Sequence, residues 1–136
     1  MKKVLCDINV ILDILLLREP FHRPAAALFG ALERGEARGY LCAVSFPTLH
    51  YLLAKHLGAI PAVQALSKMR MVFRVAPVDE KVVDLALASD LKDFEDAVQY
   101  YSAVRAGADV LITRNKKDYP ARGIPVLAPE EFLAGE

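Results

Sequence analysis

Short continuous apolar runs, separated by stretches of helical period, set the pattern of this chain. Val4-Leu5-Cys6 is the first run and stops at Asp7. Gly39-Tyr40-Leu41-Cys42-Ala43-Val44, Met71-Val72-Phe73-Arg74-Val75, Asp109-Val110-Leu111-Ile112 and Ile124-Pro125-Val126-Leu127 follow. Runs that are continuous rather than alternating predict strands covered on both faces. Pro125 places the last one at a sheet edge, where a missing amide does least harm. Between the strands, Asn9 is positioned to cap a helix over residues 10–17 that Pro20 closes. Pro24 opens a second helix, stopped by Gly35. Leu49, Leu52, Leu53 and Leu57 recur at helical spacing up to Gly58, and Pro61 opens a helix with Val63, Leu66 and Met69 on one side. Asp79 caps a segment carrying Val82, Val83, Leu85, Ala86 and Leu87, and residues 93–105 form a last helix ended by Gly107. Strands alternating with helices predict an α/β fold around a mostly parallel sheet of four or five strands.

Composition narrows the picture. The 136 residues suit one domain, 1–136. With 54% hydrophobic and 25% charged residues, disorder is excluded. Seventeen basic and seventeen acidic side chains cancel, so no global positive field steers the protein to nucleic acid. Polyanion binding then requires a local patch or a metal. Cys6 and Cys42 sit inside apolar runs and read as buried free thiols of a reducing compartment, with no zinc-type spacing. Lys2-Lys3 precedes an apolar run that Asp7, Asn9 and Asp13 interrupt at once, unlike a signal peptide. The longest uncharged stretch, residues 39–54, is too short to span a bilayer. A cytoplasmic protein without membrane association is expected.

In an open parallel sheet the functional edge lies at the carboxyl ends of the strands. Asp7 ends the first strand there, and Thr113-Arg114-Asn115 end the fourth. The helix feeding the fourth strand starts near the same edge, because right-handed crossovers leave and return in a fixed sense. Its start carries Asp93, Glu95 and Asp96, and Asp118 lies just past Asn115. Asp7, Asp93, Asp96 and Asp118 therefore converge. Each has a competing structural reading. Asp93 and Asp96 suit a helix cap, Asp118 an ordinary turn, and Asp13 an exposed or structural position. Glu95 is expected on another helix face, in solvent.

Two carboxylates about 5 Å apart repel by roughly 3 kcal/mol at an effective dielectric of 20. A group of them holds a proton or requires a cation. Oxygen donors without Cys or His favour Mg²⁺ or Mn²⁺, ions that keep waters able to attack a phosphodiester. Arg114, Lys116 and Lys117 form a small cationic stretch for a substrate phosphate. His22, His50 and His56 lack paired spacing and are read as boundary residues.

Three motifs together resemble the PIN-domain family: Val4 through Asp13 around Asp7, Lys92-Asp93-Phe94-Glu95-Asp96-Ala97, and Ile112-Thr113-Arg114-Asn115-Lys116-Lys117-Asp118-Tyr119. The closing Pro125-Val126-Leu127-Ala128-Pro129-Glu130-Glu131-Phe132-Leu133 is similar to that family's ending. The resemblance implies a three-layer α/β/α sandwich and an endoribonuclease dependent on Mg²⁺ or Mn²⁺. Many small members are VapC-type toxins, so it also implies an RNA substrate and a partner antitoxin. Position by position, Asp7, Asp96 and Asp118 match the catalytic metal-binding carboxylates, and Asp93 a secondary ligand. Asn9, Thr113 and Asn115 match supporting polar residues.

The chain departs from the family pattern at three places. Ser45-Phe46-Pro47-Thr48-Leu49-His50-Tyr51 carries Tyr51 where an acidic residue is expected, Ile8 stands where threonine is common, and Asn115 where aspartate is common. A site short of one carboxylate holds a second metal poorly. The alternative function is therefore a catalytically weak or idle PIN-fold module that binds RNA or protein. Leu15-Leu16-Leu17 and the Leu52, Leu53 and Leu57 segment carry more apolar residues than one core face needs. They predict a homodimer or antitoxin surface, unless both are wholly buried.

Overall fold

A computed structural model describes residues 1–135. Five strands form one sheet in which every neighbouring pair is parallel. They are β1 (Lys3–Cys6), β2 (Arg38–Cys42), β3 (Phe73–Ala76), β4 (Val110–Ile112) and β5 (Val126–Leu127). The helices are α1 (Ile8–Leu15), α2 (His22–Glu33), α3 (Ser45–Leu57), α4 (Ala59–Val72), α5 (Glu80–Ala88), α6 (Phe94–Ala106) and α7 (Pro129–Gly135), with a 3₁₀ turn over Lys116–Asp118.

The strand order β3-β2-β1-β4-β5 reverses between β1 and β4. Crossovers to the two sides of that point cover opposite faces of the sheet, which makes the α/β/α sandwich. Successive strand side chains alternate between those faces. Val4, Cys6, Val110 and Ile112 join the core under α1, α2, α3, α4 and α7. Leu5 and Leu111 join the core under α5 and α6. Reversal of strand order opens a crevice at the carboxyl ends of β1 and β4, where ligands bind in such sheets. Gly39 permits the sheet to close on its first face. A Cβ there would lie 2.8 Å from both Leu32 Cδ1 and Phe73 Cδ1.

Several boundaries differ from the sequence expectation. Apolar Met71 and Val72 continue α4, and β3 begins only where Phe73 pairs with Gly39. The cap position of α1 belongs to Asp7, not Asn9, so the helix starts at Ile8 directly after the strand. It ends at Leu15, ahead of Leu17, whose backbone is left-handed (φ 52°). Helix α7, not anticipated, seals the first core with Phe132. The leucine-rich segments belong mostly to the core. Leu53 is buried, and Leu15, Leu16 and Leu52 pack against the first core cluster. Leu17 and Leu57 are exposed, together with Ile60, Val63, Met71 and Val75. Among the described residues no helix is long and apolar enough to cross a membrane. Cys6 and Cys42 are buried free thiols.

Candidate active site

Asp7 is placed by the centre of the sheet. Its amide donates to the Ile112 carbonyl (2.9 Å), which levels the ends of β1 and β4. Although it occupies the cap position of α1, its side chain makes no capping bond. The carboxylate, only 4% exposed, turns instead across the crevice. Thr113 Oγ1 donates to Oδ2 (2.8 Å) and Gln99 Nε2 to Oδ1 (3.3 Å). The Thr113 hydroxyl also accepts the Asn115 amide (3.1 Å), so its proton is directed at Asp7.

The start of α6 supplies the second group of carboxylates. Asp93 is extended and its Oδ1 accepts the Asp96 amide (3.0 Å), so its structural reading as a cap holds for one of its two oxygens. Asp96 has one hydrogen-bonding side chain facing it, the Tyr119 hydroxyl, at 3.4 Å. Burial, and then the charges of Asp93, Asp7 and Asp118, push the Asp96 carboxyl up to about 6; the Tyr119 bond opposes the rise. Burial, followed by Asp7 and Asp96, likewise pushes the Tyr119 phenol well above its ordinary range. Gln99, one turn beyond Asp96 and buried, ties the cluster together. Its amide nitrogen also donates to Tyr119 Oη (2.6 Å), and its Oε1 accepts from Ser45 Oγ (3.5 Å).

Asp7, Asp93, Asp96 and Gln99 line a pocket of about 220 Å³, together with Asn9, Asn115, Asp118 and Glu95. Asp93, Asp96 and Asp118 also line a neighbouring cleft of about 450 Å³, whose cations are Lys92 and Lys117. The structure thus brings together Asp7, Asp93, Asp96, Asp118, Asn9 and Asn115, with Thr113 behind Asp7. Glu95 departs from its expected place in solvent and reaches the pocket. Of the three basic residues expected at a substrate phosphate, Lys117 lines the neighbouring cleft, while Arg114 and Lys116 are engaged by other carboxylates. Arg114 bonds Asp13 through Nε (2.9 Å) and a terminal nitrogen (3.2 Å), and its guanidinium stacks 3.9 Å from the Phe21 ring centre. Lys116 Nζ is held by both oxygens of Glu131 at 3.0 Å. Tyr51 is 63% exposed and is not among the lining residues.

Among the described residues no lysine or arginine forms an ion pair with Asp7, Asp93, Asp96 or Asp118. Neutral hydroxyl and amide donors are the groups that face them. One oxygen of Glu95 is buried without a hydrogen-bond partner. An all-oxygen, net-anionic pocket of this kind fits Mg²⁺ or Mn²⁺. Among the described residues, no three acidic, imidazole or thiol groups stand close enough together to hold a metal ion between them. That suits ions bound through one or two carboxylates with most of their waters retained.

Sequence reasoning missed Gln99 and Tyr119, which are uncharged. The available signal was position: Gln99 follows Asp96 by three residues on the same helical face, and Tyr119 adjoins Asp118.

Residues 3–117 match a family model described as PIN domain. Ribonuclease VapC1 of Aquifex aeolicus (strain VF5) is 28% identical over 136 residues, covering 96% of this chain and 93% of the relative. Among solved structures, a toxin–antitoxin complex from Klebsiella pneumoniae is similar at TM-score 0.70 and 22% identity, over 93% of this chain and 97% of that one. The DNA-bound VapBC of Salmonella typhimurium is similar at TM-score 0.69 and 16% identity, over 95% and 99%.

Proposed function

The chain belongs to the PIN domain family, and on that premise we propose that it is a divalent-metal-dependent endoribonuclease, the toxin of a toxin–antitoxin pair. One observation carries the reading: Asp7, Asp93, Asp96 and Asp118 line a single pocket, and among the described residues no lysine or arginine forms an ion pair with them. The ribonuclease named among its relatives supports the choice of RNA as substrate.

Within this proposal Asp7 and Asp96 would hold Mg²⁺ or Mn²⁺, and Asp118 and Asp93 would act on it through the waters it retains. When bound, such an ion polarises a water into a nucleophile and offsets charge on the scissile phosphate. The protein orients the site through Thr113 and Gln99 on Asp7 and Tyr119 on Asp96, fixing carboxylate directions before substrate arrives. Lys92 and Lys117, at the adjoining cleft, take the phosphate-positioning role that Arg114 and Lys116 are not placed to fill. The partners in this reading are RNA, an antitoxin protein and a second copy of the chain. An apolar groove of about 440 Å³ lined by Phe46, Val63, Leu66 and Val75 is the surface such proteins would cover. The setting is the cytoplasm, where Cys6 and Cys42 remain thiols.

Structured and single-stranded RNA, each with Mg²⁺ or Mn²⁺, test the assignment. Wild type is expected to cleave, and Asp7→Asn and Asp96→Asn to lose activity about a hundredfold or more, since even residues behind metal ligands change activity by about 10–100-fold. Equal cleavage by all three proteins refutes it. RNA or antitoxin binding with no cleavage and no Mn²⁺ uptake identifies an idle binding module instead.

A further inference from the structure

We propose that Glu95 is an additional metal-holding carboxylate of the acidic pocket. The proposal rests on reading that pocket as a divalent-metal site, and it adds a ligand on a residue that helical spacing assigns to solvent.

Consecutive helical residues point about 100° apart. On an isolated helix Glu95 and Asp96 would therefore serve different surroundings. Here the first turn of α6 lies over the crevice, and the pocket wraps around it. Asp96 faces the β4 side, where it meets Tyr119 and the charge of Asp118. Glu95 faces the β2 side, close enough to Cys42 for its charge to act on that thiol. Burial is what chiefly raises the Cys42 pKa, and Glu95 adds to it against hydrogen bonds that lower it. Both carboxylates nonetheless line the same 220 Å³ pocket with Asp7.

The state of the Glu95 carboxylate is the deciding observation. Its Oε2 is buried and accepts no hydrogen bond. Thr113 and Gln99 are engaged with Asp7 and Tyr119 with Asp96, and the Asn9 and Asn115 amides that line the same pocket make no hydrogen bond to this oxygen. A glutamate in the first turn of a helix complements the helix dipole, but that role is fulfilled in solvent and does not bury an oxygen. A buried carboxylate oxygen with no donor is stabilised by a cation. Helix α3 brings no carboxylate to the pocket, since Tyr51 stands outside it and Ser45 acts through Gln99. Glu95, on the neighbouring helix, provides that charge.

Mn²⁺ titration calorimetry on the full chain, paired with thermal melts in the absence and presence of Mn²⁺, tests the assignment. Glu95→Gln keeps the shape and removes the charge. Its Mn²⁺ affinity is expected to fall about tenfold, and its Mn²⁺-induced rise in Tm to shrink. Without metal it should melt no lower than wild type, because an unpartnered buried charge is gone. Glu95→Asp, which keeps the charge on a shorter stem, should bind Mn²⁺ with intermediate affinity, and it serves as well if the glutamine variant does not fold. Mn²⁺ affinity equal to wild type in Glu95→Gln, or in Glu95→Asp should the former not fold, overturns the role of Glu95 and leaves the metal site standing. Absence of Mn²⁺ uptake by wild type itself overturns both.

Discussion

Asp7 and Asp13 mark the beginning and the far part of α1, and the two surroundings are opposites. Both side chains are buried, 4% and 2% exposed. Asp13 carries its own counterions. Arg18 Nε donates to Oδ1 and Arg114 Nε to Oδ2, each at 2.9 Å, and a second Arg114 nitrogen reaches Oδ1 at 3.2 Å. Asp7 is met by a threonine hydroxyl and a glutamine amide, neither charged. At 4 Å and an effective dielectric of 20 one cation is worth about 4 kcal/mol to a carboxylate. The protein provides that twice to Asp13 and not to Asp7. Burial alone therefore does not separate the proposed site from a structural acid; the missing counterion does. Asn9 stands between the two centres, lining the pocket while its Oδ1 accepts from Arg18.

The contrast can be broken most forcefully at Asp13. Asp13→Asn leaves two partly exposed guanidinium groups facing a neutral amide, and weakening three hydrogen bonds to a buried carboxylate destabilises by about 3 kcal/mol. Urea denaturation should show that loss to the same extent with and without Mn²⁺. A loss seen only with Mn²⁺ would place Asp13 in the metal site.

The next largest effect belongs to the other centre. Mn²⁺ at about 100 times its dissociation constant should stabilise wild type by about 2.7 kcal/mol. Asp13→Asn should retain that increment, and Asp7→Asn should lose it. An undiminished shift in Asp7→Asn would mean that the ion binds elsewhere.

The smallest effect concerns Asp96 in metal-free protein. Its carboxyl, raised from 3.8 to about 6, favours the protonated form in the folded state. That contribution is complete below about pH 4 and is lost as pH rises through about 6. Asp96→Asn should thus exceed wild type in stability at pH 7 by about 1 kcal/mol, after allowance for solvent screening. The gap should close below about pH 4. A gap independent of pH would contradict the crowding of charge around Asp96.

Much of this was readable before the structure, and the unread part has a physical cause. Asp7 was legible because a strand covered on both faces does not end in an acid by chance, Asp93 and Asp96 followed from crossover direction, and Asp118 from its place just past the end of the fourth strand. Glu95 was not legible, because helical period fixes an angle on the helix but not the width of the pocket around it. Arg114 and Lys116 were misplaced because their partners, Asp13 and Glu131, lie 101 and 15 residues away and carry no local signal. Met71 and Val72 look like strand, and only pairing of Phe73 with Gly39 shows where extension begins.

The position of β1, paired on both sides by β2 and β4, has one more consequence. A doubly paired inner strand exchanges its amide hydrogens only in the rarest, most extensive openings of a domain, whereas a brief surface turn opens readily. Asp7 is thus anchored to the slowest-breathing part of the molecule and Asp118 to one of its quicker parts. In the proposed metal site Asp7 would be the fixed jaw of a vice and Asp118 the adjustable one, so that ions of slightly different radius could be accepted without disturbing its foundation.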